Sequence, residues 1–428
     1  MSARAATAGG AEGAAPGTVP AARRGPAPLA ALEAAAWRAA LGIASRIRIG
    51  CLTVVEPDGR RRVYGDRSSD RRAEIRVHDR AAALRVVLHR DTGFGEAYMD
   101  GQWSSPDLAA LLALAALNWV ALDLSGGPWH ALTQLPRTLL HRSRRNTLPG
   151  SRRNIAAHYD LGNDFYRLFL DETMTYSCAV FESPGQSLAD AQRNKYRLMA
   201  EGAGLRPGTH VLEIGSGWGG FATYAAGELG CRVTSITISK AQRDLASELV
   251  RAAGLQDLVD IQLRDYREIE GTYDAIVSIE MLEAVGAEYY EAFFQACDRV
   301  LKPGGRLSLQ TIAFPDVAYE RQRRGANWIQ LYIFPGGLLP SLSVIERSLH
   351  RTRLLIAGVT DIAPSYVRTL QEWRSRFMGN LDAVRGQGFD QRFIRMWEYY
   401  LAISEAGFAT GLTQDFQLVL EKKRGLSA

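Results

Sequence analysis

The stretch Val211-Leu-Glu-Ile-Gly-Ser-Gly-Trp-Gly-Gly220 decides how the rest of the chain is interpreted. An apolar run ends in a glycine-rich turn, and residues 221–229 after it are compatible with a helix. This order predicts a strand, a tight loop and a helix. Glycines at 215, 217 and 219 allow a ligand to approach the backbone where side chains would block it. The motif therefore predicts a site for a nucleotide-like cofactor.

Two classes of cofactor compete for such a turn. Gly215, Gly217 and Gly220 match the G-x-G-x-x-G pattern of dinucleotide-binding turns, which is weak when it stands alone. Glu213, two residues before the first glycine, fits the second class better. An acid followed by G-x-G resembles the first motif of methyltransferases that use S-adenosylmethionine (SAM). A turn that only closes a strand–helix unit is the third interpretation.

Strands and helices alternate from about residue 205 onward. This alternation predicts a parallel sheet covered by helices on both faces, with the ligand beyond the carboxyl ends of the strands. Residues 30–130 mix helical runs with short strands and predict a small domain. The expected fold class is therefore α/β, a Rossmann-like SAM-dependent methyltransferase sheet with a smaller α+β N-terminal domain. The predicted strands are 47–55, 74–77 and 84–89 in the small domain, and 210–214, 231–238, 258–263, 273–279, 305–313 and 413–420 in the large one.

Bulk properties describe an ordinary globular protein of two or three domains. The chain has 428 residues, of which 46% are hydrophobic and 23% charged, and its net charge is +5. The four cysteines show no ligand spacing, so we expect neither a disulfide framework nor a metal site, and a reducing cytosol fits. Residues 1–29 lack the apolar core of a secretory signal and predict a disordered tail. The apolar run 108–122 is too short for a membrane span and predicts a buried helix.

Residues 131–156 are interpreted as a basic linker before a catalytic domain at 157–428. The surrounding segment 124–159 has six arginines and neither Asp nor Glu. It is either a solvated loop or a surface attracted to anionic membranes, where each Arg would contribute about 1 kcal/mol before screening by salt. Nucleic acid is not expected as a partner, because no aromatic residues alternate with these arginines for base stacking.

An insertion-like stretch covers 318–350 within the catalytic domain. Trp328, Tyr332 and Phe334 stand there among loop-forming residues. The stretch predicts a lid or a wall for a substrate, or alternatively a cap on the core.

Further motifs carry a specific resemblance. His158-Tyr-Asp-Leu-Gly-Asn-Asp-Phe-Tyr-Arg167 and Met174-Thr-Tyr-Ser-Cys178 precede the sheet. Ile236-Thr-Ile-Ser-Lys-Ala-Gln242 and Tyr273-Asp-Ala-Ile-Val-Ser-Ile-Glu-Met-Leu-Glu283 lie within it. With the glycine turn, these blocks closely resemble the cyclopropane-fatty-acyl-phospholipid synthase family over about 150–425. A weaker resemblance over 40–130 includes residues 93–101 (GFGEAYMDG).

The resemblance implies a SAM site at the ends of three strands. Residues before and in the glycine turn would contact the methionine part, those after the second strand the ribose, and those after the third strand the adenine. A carboxylate there accepts from the adenine amino group, and an aromatic face stacks on the base. The implied cofactor residues are Tyr176, Ser177, Glu213, Gly215, Gly217, Thr237, Gln242, Asp265 and Tyr266.

The family's chemistry adds a methyl group to a double bond, which is a poor nucleophile. The carbocation that results must lose a proton to a base before water adds, so the site needs a dry cavity, electron-rich walls and one placed base. In the family this base is a bound bicarbonate. Its pocket would correspond here to Glu283, Tyr366 and the backbone amides of Cys178 and Ile312.

The sequence departs from the family pattern at this pocket. The family commonly has His at the positions of Gln310 and Ala284. A glutamine donates an N–H to an anion, but it carries no charge and shuttles no proton. Either bicarbonate persists with a weaker ligand, or Glu283 itself is the base.

The product is left open by the residue types. Loss of a proton with closure of a ring gives a cyclopropane, whereas loss of a proton with formation of a double bond gives an exocyclic methylene that a reductase would convert to a methyl branch. The altered pocket favours the methylene route, which belongs to a branch of the family that leads to methyl-branched fatty acids.

The expected substrate is an unsaturated acyl chain of a phospholipid. About 16 methylenes would cost about 13 kcal/mol in water, at roughly 0.8 kcal/mol each, so the chain must be drawn directly from a bilayer. We therefore expect a cytoplasmic protein that associates peripherally with membranes, and the resemblance suggests a homodimer. The alternatives are an N- or O-methyltransferase of a soluble molecule and a non-catalytic lipid-binding subunit.

Overall fold

A computed structural model of the chain describes residues 27–122, 161–323 and 325–425. The predicted tail at 1–29 falls almost wholly, and the basic linker wholly, outside the described residues. The first three residues of the motif at 158–167 fall outside them as well. Among the described residues, no helix combines the length and apolarity that crossing a bilayer requires.

The N-terminal domain is a four-stranded sheet with helices packed against it. Its strand order is β2-β1-β3-β4, with β1 antiparallel to β2 and parallel to β3. The apolar run 108–122 forms two helices that meet at Asn118, and the prediction of a buried helix holds only for the first, Leu108–Leu117, because Trp119–Leu122 has no buried residue. The elements are α1 (Ala27–Ala44), β1 (Cys51–Val55), β2 (Arg61–Gly65), β3 (Arg72–Val77), α2 (Ala81–Met99), β4 (Trp103–Ser104), α3 (Leu108–Leu117) and α4 (Trp119–Leu122).

One predicted strand of this domain is wrong. Residues 84–89 lie inside helix α2. The pair Val86-Val87 favours a strand locally, but the segment packs as a helix against α1, and tertiary packing overrides such short propensities.

The catalytic domain is built on a seven-stranded sheet of order β10-β11-β9-β8-β5-β6-β7. Strands β5 to β9 are parallel, and β11 runs antiparallel between β9 and β10. Its strands are β5 (His210–Ile214), β6 (Arg232–Thr237), β7 (Val259–Leu263), β8 (Tyr273–Ile279), β9 (Leu301–Ala313), β10 (Leu354–Asp361) and β11 (Gln414–Lys422). Its helices are α5 (Asn163–Arg167), α6 (Leu188–Ala203), α7 (Gly220–Gly227), α8 (Lys240–Ala252), α9 (Leu282–Val285), α10 (Tyr290–Val300), α11 (Asp316–Gln322), α12 (Trp328–Tyr332), α13 (Leu342–Ser348), α14 (Ala363–Gly379), α15 (Leu381–Gly386) and α16 (Gln391–Ala409), with short 3-10 turns at Tyr266–Glu268 and Ala287–Tyr289.

The sheet confirms the predicted α/β class. Strand β10 is the strand of this sheet that the sequence did not predict, because it is an edge strand with only its first residue buried, so no alternation marks it. In the N-terminal domain, β2 and β4 were not predicted either. Strands β6 and β8 lie on opposite sides of β5, and the chain reverses its direction across the sheet at this point. A crevice opens there, at the carboxyl end of β5, where ligands bind in such sheets.

The two domains are in close contact. The Tyr98 hydroxyl donates to Glu398 across 2.7 Å, and the Arg395 guanidinium lies 4.0 Å from the centre of the Tyr98 ring. A Cβ atom at Gly95 would lie 2.5 Å from the Trp328 indole, so only glycine permits this approach of α2 to α12. The predicted insertion therefore packs directly on the N-terminal domain.

Candidate active site

One cavity of about 1550 Å³ extends from the glycine turn into the N-terminal domain. Apolar side chains of the small domain, including Leu52, Val54 and Phe94, line its far end. Trp328 and Phe334 of the insertion line it as well. All nine predicted cofactor residues line this cavity, and so do three of the five predicted catalytic residues, namely Glu283, Ile312 and Tyr366.

The glycine turn is open on the cavity side. Gly215, Gly217 and Gly219 have φ angles of 96°, 48° and 88°, in the region that favours glycine. A Cβ atom at Gly217 would meet no heavy atom within 4 Å. The loop is therefore shaped to receive a ligand against its backbone.

Glu213 lies below this loop, at the end of β5. It is 3% exposed and accepts a hydrogen bond from the Ser235 hydroxyl. Burial raises the pKa of Glu213 to about 8, although the hydrogen bond from Ser235 opposes this effect. The carboxyl of Glu213, buried beneath the turn, is thus mostly protonated at neutral pH.

The ends of β6 and β7 carry the next predicted cofactor residues. The Thr237 hydroxyl donates to the Gln242 side chain across 2.9 Å. Asp265 accepts from Arg267 through both carboxylate oxygens, each at 2.7 Å. The buried Tyr266 hydroxyl has no hydrogen-bond partner among the described residues. An unpaired buried donor in the same cavity as an open glycine turn fits a nucleoside-bearing ligand, because such groups are costly to leave unsatisfied.

Tyr176 and Ser177 also line the cavity. The Tyr176 hydroxyl donates to the Tyr400 hydroxyl across 2.7 Å. Ser177 accepts from the ammonium group of Lys195 across 2.6 Å. Lys195 is fully buried, and burial lowers its pKa to about 8, while nearby carboxyl groups, Glu280 first, oppose this shift.

The centre of the predicted base pocket is occupied by Glu280, a residue that the sequence did not single out. Its Oε1 accepts from the Cys178 amide and from Gln310 Nε2, each at 2.8 Å. Its Oε2 accepts from the Tyr366 hydroxyl at 2.7 Å. The carboxylate lines the cavity, whereas Cys178 and Gln310 stand behind it.

Glu283 lies beside this group but has different partners. Its Oε1 accepts from the Thr311 hydroxyl at 2.9 Å and from the Ile312 amide. Its Oε2 is buried and has no hydrogen-bond partner among the described residues. Burial and the neighbouring Glu280 raise the pKa of Glu283 to about 8.

A bicarbonate ion does not fit the donors that the resemblance assigned to it. The Cys178 amide and the Tyr366 hydroxyl each have a single hydrogen, and both hydrogens point to Glu280. The Ile312 amide is likewise donated to Glu283. The chain's own carboxylates thus hold the places of the anion.

Three polar residues of the site were missed by sequence reasoning: Glu280, Lys195 and Asp415. Glu280 stands directly after β8, and a carboxylate at the end of a central parallel strand was a usable signal. Lys195 and Asp415 are fully buried, yet neither belongs to a motif that distinguishes it from surface charges.

Known proteins resemble this chain over most of its length. The family model for mycolic acid cyclopropane synthetase matches residues 147–418. Tuberculostearic acid methyltransferase of Mycobacterium tuberculosis is 42% identical over 79% of this chain and 81% of its own length. Cyclopropane-fatty-acyl-phospholipid synthase of Escherichia coli K12 is 34% identical over 82% of this chain and 88% of its own length.

Solved structures give the same result. A mycolic acid cyclopropane synthase complexed with SAH and CTAB superposes with a TM-score of 0.60, at 30% identity, over 63% of this chain and 98% of its own. Coclaurine N-methyltransferase, at 22% identity and a TM-score of 0.57 over 74% of this chain and 94% of its own, shares the fold. The chain therefore belongs to the mycolic acid cyclopropane synthetase family, the group of SAM-dependent methyltransferases that its motifs predicted.

Proposed function

We propose that this enzyme transfers the methyl carbon of SAM to the cis double bond of an unsaturated acyl chain carried by a phospholipid. The observation that carries the proposal is the continuity of the cavity, which joins the glycine turn to an apolar interior in the N-terminal domain. A soluble polar acceptor has no need of such an interior, whereas an acyl chain has to leave water completely.

The chain's residues would hold SAM around the glycine turn. Gly215 and Gly217 would leave room for the methionine part, and Tyr176 and Ser177, which line the same cavity, would contact it. Thr237 and Gln242 would contact the ribose, and Asp265 and Tyr266 would contact the adenine. Bound there, SAM supplies an electrophilic methyl group.

The walls near Glu280 suit a reaction that passes through a cation. Tyr366 stacks on Phe408 with 4.2 Å between ring centres, and Phe334 meets Tyr400 edge-on at 5.9 Å. All four rings line the cavity. Aromatic faces stabilise a positive charge and keep water away from it.

Donors and carboxyl groups define the place of proton removal. Tyr366, the Cys178 amide and Gln310 orient the Glu280 carboxylate, and the Ile312 amide and Thr311 orient Glu283. Proton removal in this group of residues decides between a cyclopropane ring and an exocyclic methylene.

Of the two products, we propose the methylene-branched chain. The relative with 42% identity is a tuberculostearic acid methyltransferase, and the base pocket departs from the family pattern at Gln310 and Ala284. This product requires a separate reductase for conversion to a methyl branch. We also propose that the protein binds peripherally to the bilayer, because it has to extract an acyl chain whose exposure to water is very unfavourable. We further propose that it forms a homodimer, as the family resemblance suggests.

The test is incubation of the purified protein with SAM and vesicles of monounsaturated phospholipid, followed by mass spectrometry and NMR of the fatty acids. We expect a gain of one CH2 and vinylidene proton signals. Cyclopropane signals with the same mass gain would show that the enzyme closes a ring and does not form the methylene product. If the protein binds SAM but the fatty acids gain no mass, the proposed function is wrong. The protein would then be a methyltransferase of a soluble acceptor or a lipid-binding subunit.

A further inference from the structure

We infer that Glu280 is the proton acceptor of the reaction, and that this enzyme carries its base in its own chain and needs no bicarbonate. The inference rests on the proposed function, because it concerns the proton lost after methyl transfer. It follows from the position of a side-chain carboxylate among the donors expected for an external anion.

The contacts of Glu280 are those of an anchored acceptor. A carboxylate offers about four lone-pair sites, and three of them are used by Cys178, Gln310 and Tyr366 at 2.7–2.8 Å. These three donors lie in the loop before α6, on β9 and on α14, so elements that are distant in sequence fix one carboxylate. Glu280 also lines the cavity, so its carboxylate faces the space that a bound acyl chain would enter.

The backbone at Glu280 indicates that its side chain is needed there. Its φ angle is 48°, in the left-handed region where a residue with a Cβ atom is strained and glycine is favoured. Only two other described residues besides glycines, Arg90 and Met174, have positive φ. Strain of this kind persists where the side chain has a function.

The neighbouring charged groups leave Glu280 as the acceptor. Burial and Glu280 raise the pKa of Glu283 to about 8, and burial with the same neighbour holds the pKa of Asp415 well above its usual range. Burial and this neighbour therefore favour the protonated form of both carboxyls. Lys195 is the buried cation whose charge Glu280 attracts. Gln310 Nε2 bridges Glu280 and Asp415, at 2.8 Å and 3.4 Å.

The proton step balances without a further reactant. The alkene π electrons form the new C–C bond as the C–S bond of the sulfonium breaks, which leaves a carbocation on the acyl chain. For ring closure, a C–H bond of the transferred methyl group then breaks, and its electron pair forms the ring bond. For the methylene product, a hydride first shifts from the methylated carbon to the neighbouring cationic carbon; a C–H bond of the methyl group then breaks, and its electron pair forms the exocyclic double bond. In both routes the proton moves to a Glu280 oxygen, from which it returns to solvent after product release.

The test compares wild type, Glu280→Gly and Glu280→Gln in buffer freed of carbon dioxide, with and without added sodium bicarbonate. Glycine relieves the backbone strain and vacates the place of the carboxylate, whereas glutamine keeps its size but accepts no proton. We expect wild type to work equally well in both buffers. Both variants should lose at least about 100-fold in turnover, as is typical for removal of a general base. Bicarbonate or formate should restore a saturable part of the Glu280→Gly activity only.

Calorimetric titration with SAM verifies in each variant that the cofactor site is intact. A wild-type enzyme that stops when bicarbonate is removed would overturn the inference, and so would a Glu280→Gly variant within threefold of wild type without added anion. Failure of every anion to restore Glu280→Gly would overturn the claim that Glu280 stands in an anion's place. If wild type makes no lipid product in either buffer, it is the proposed function that fails.

Discussion

The hydroxyl of Tyr366 lies 2.7 Å from Glu280 Oε2 and joins helix α14 to the loop that follows β8. The Tyr366 ring is fixed by stacking on Phe408 and by an edge contact with Trp373, 6.2 Å between centres. Because this tyrosine is buried in an aromatic wall, it sets the direction of the carboxylate. The site therefore depends on a contact between two residues that no local motif connects.

Tyr366→Phe should lower turnover by about 10- to 100-fold and leave SAM affinity unchanged, because it removes one of three donors that orient Glu280. The measurement is steady-state turnover on vesicles, with SAM binding followed by calorimetry. Tyr273→Phe is the matched control, since Tyr273 is similarly buried, donates to the Glu270 carbonyl across 3.2 Å and does not line the cavity. Both variants should lose about 1 kcal/mol of stability. Equal turnover in the two variants would contradict a role for the Tyr366 hydroxyl.

Glu283→Gln should retain turnover within about tenfold of wild type, whereas Glu280→Gln should lose at least about 100-fold. Glutamine keeps an acceptor for Thr311 and Ile312 and imitates the protonated carboxyl that a pKa of about 8 implies. Single-turnover rates with saturating SAM measure both variants on the same scale. The reverse order of losses would make Glu283 the base, which is the choice that the sequence alone left open.

Hydrophobic periodicity and turn residues predicted most of the fold, because the central strands are buried apolar runs and glycines mark the turns between elements. The missed strand β10 is exposed along most of its length, and the wrong strand at 84–89 was a short β-branched run inside a packed helix. The cofactor residues were expected from the family resemblance, and the structure brings all nine to one cavity. The base was not, because the convergence of Cys178, Gln310 and Tyr366 on Glu280 is a property of the tertiary structure.

Gly217→Ala should weaken SAM binding by at least about tenfold, since a methyl group would enter the open space that the turn leaves for its ligand. Gly208→Ala is a control with the same backbone demand: its φ angle is 82°, nothing lies within 4 Å of its Cβ position, and it does not line the cavity. Each substitution should cost about 1–2 kcal/mol of stability through the positive φ. The two variants should therefore unfold at similar temperatures, and calorimetric titration with SAM should show weaker binding only in Gly217→Ala. Equal SAM affinities would remove Gly217 from the cofactor site.

Glu213→Gln should change how stability depends on pH. The pKa of Glu213 is about 8 in the folded chain against a usual value of 4.5, so the folded state binds this proton more tightly than the unfolded state does. Its contribution to stability is present below about pH 4.5 and is lost as pH rises to about 8. Glutamine still accepts from Ser235 but has no proton to lose. The variant should therefore gain stability relative to wild type as pH rises through this window, by up to about 1.4 kcal/mol per pH unit.

The measurement is the difference in Tm between Glu213→Gln and wild type, without SAM, at intervals from about pH 5 to about pH 8. Glu283 and Asp415 also have raised pKa values, but they are present in both proteins, so the difference isolates Glu213. Lys195, with a pKa lowered to about 8, affects stability mainly above this range and equally in both proteins. A difference that stays constant with pH would mean that Glu213 is charged in the folded chain. In that case the glycine turn would rest on a carboxylate rather than on a protonated acid, and Lys195 would be the cation available to balance it, because it is the group whose charge opposes the rise in the pKa of Glu213.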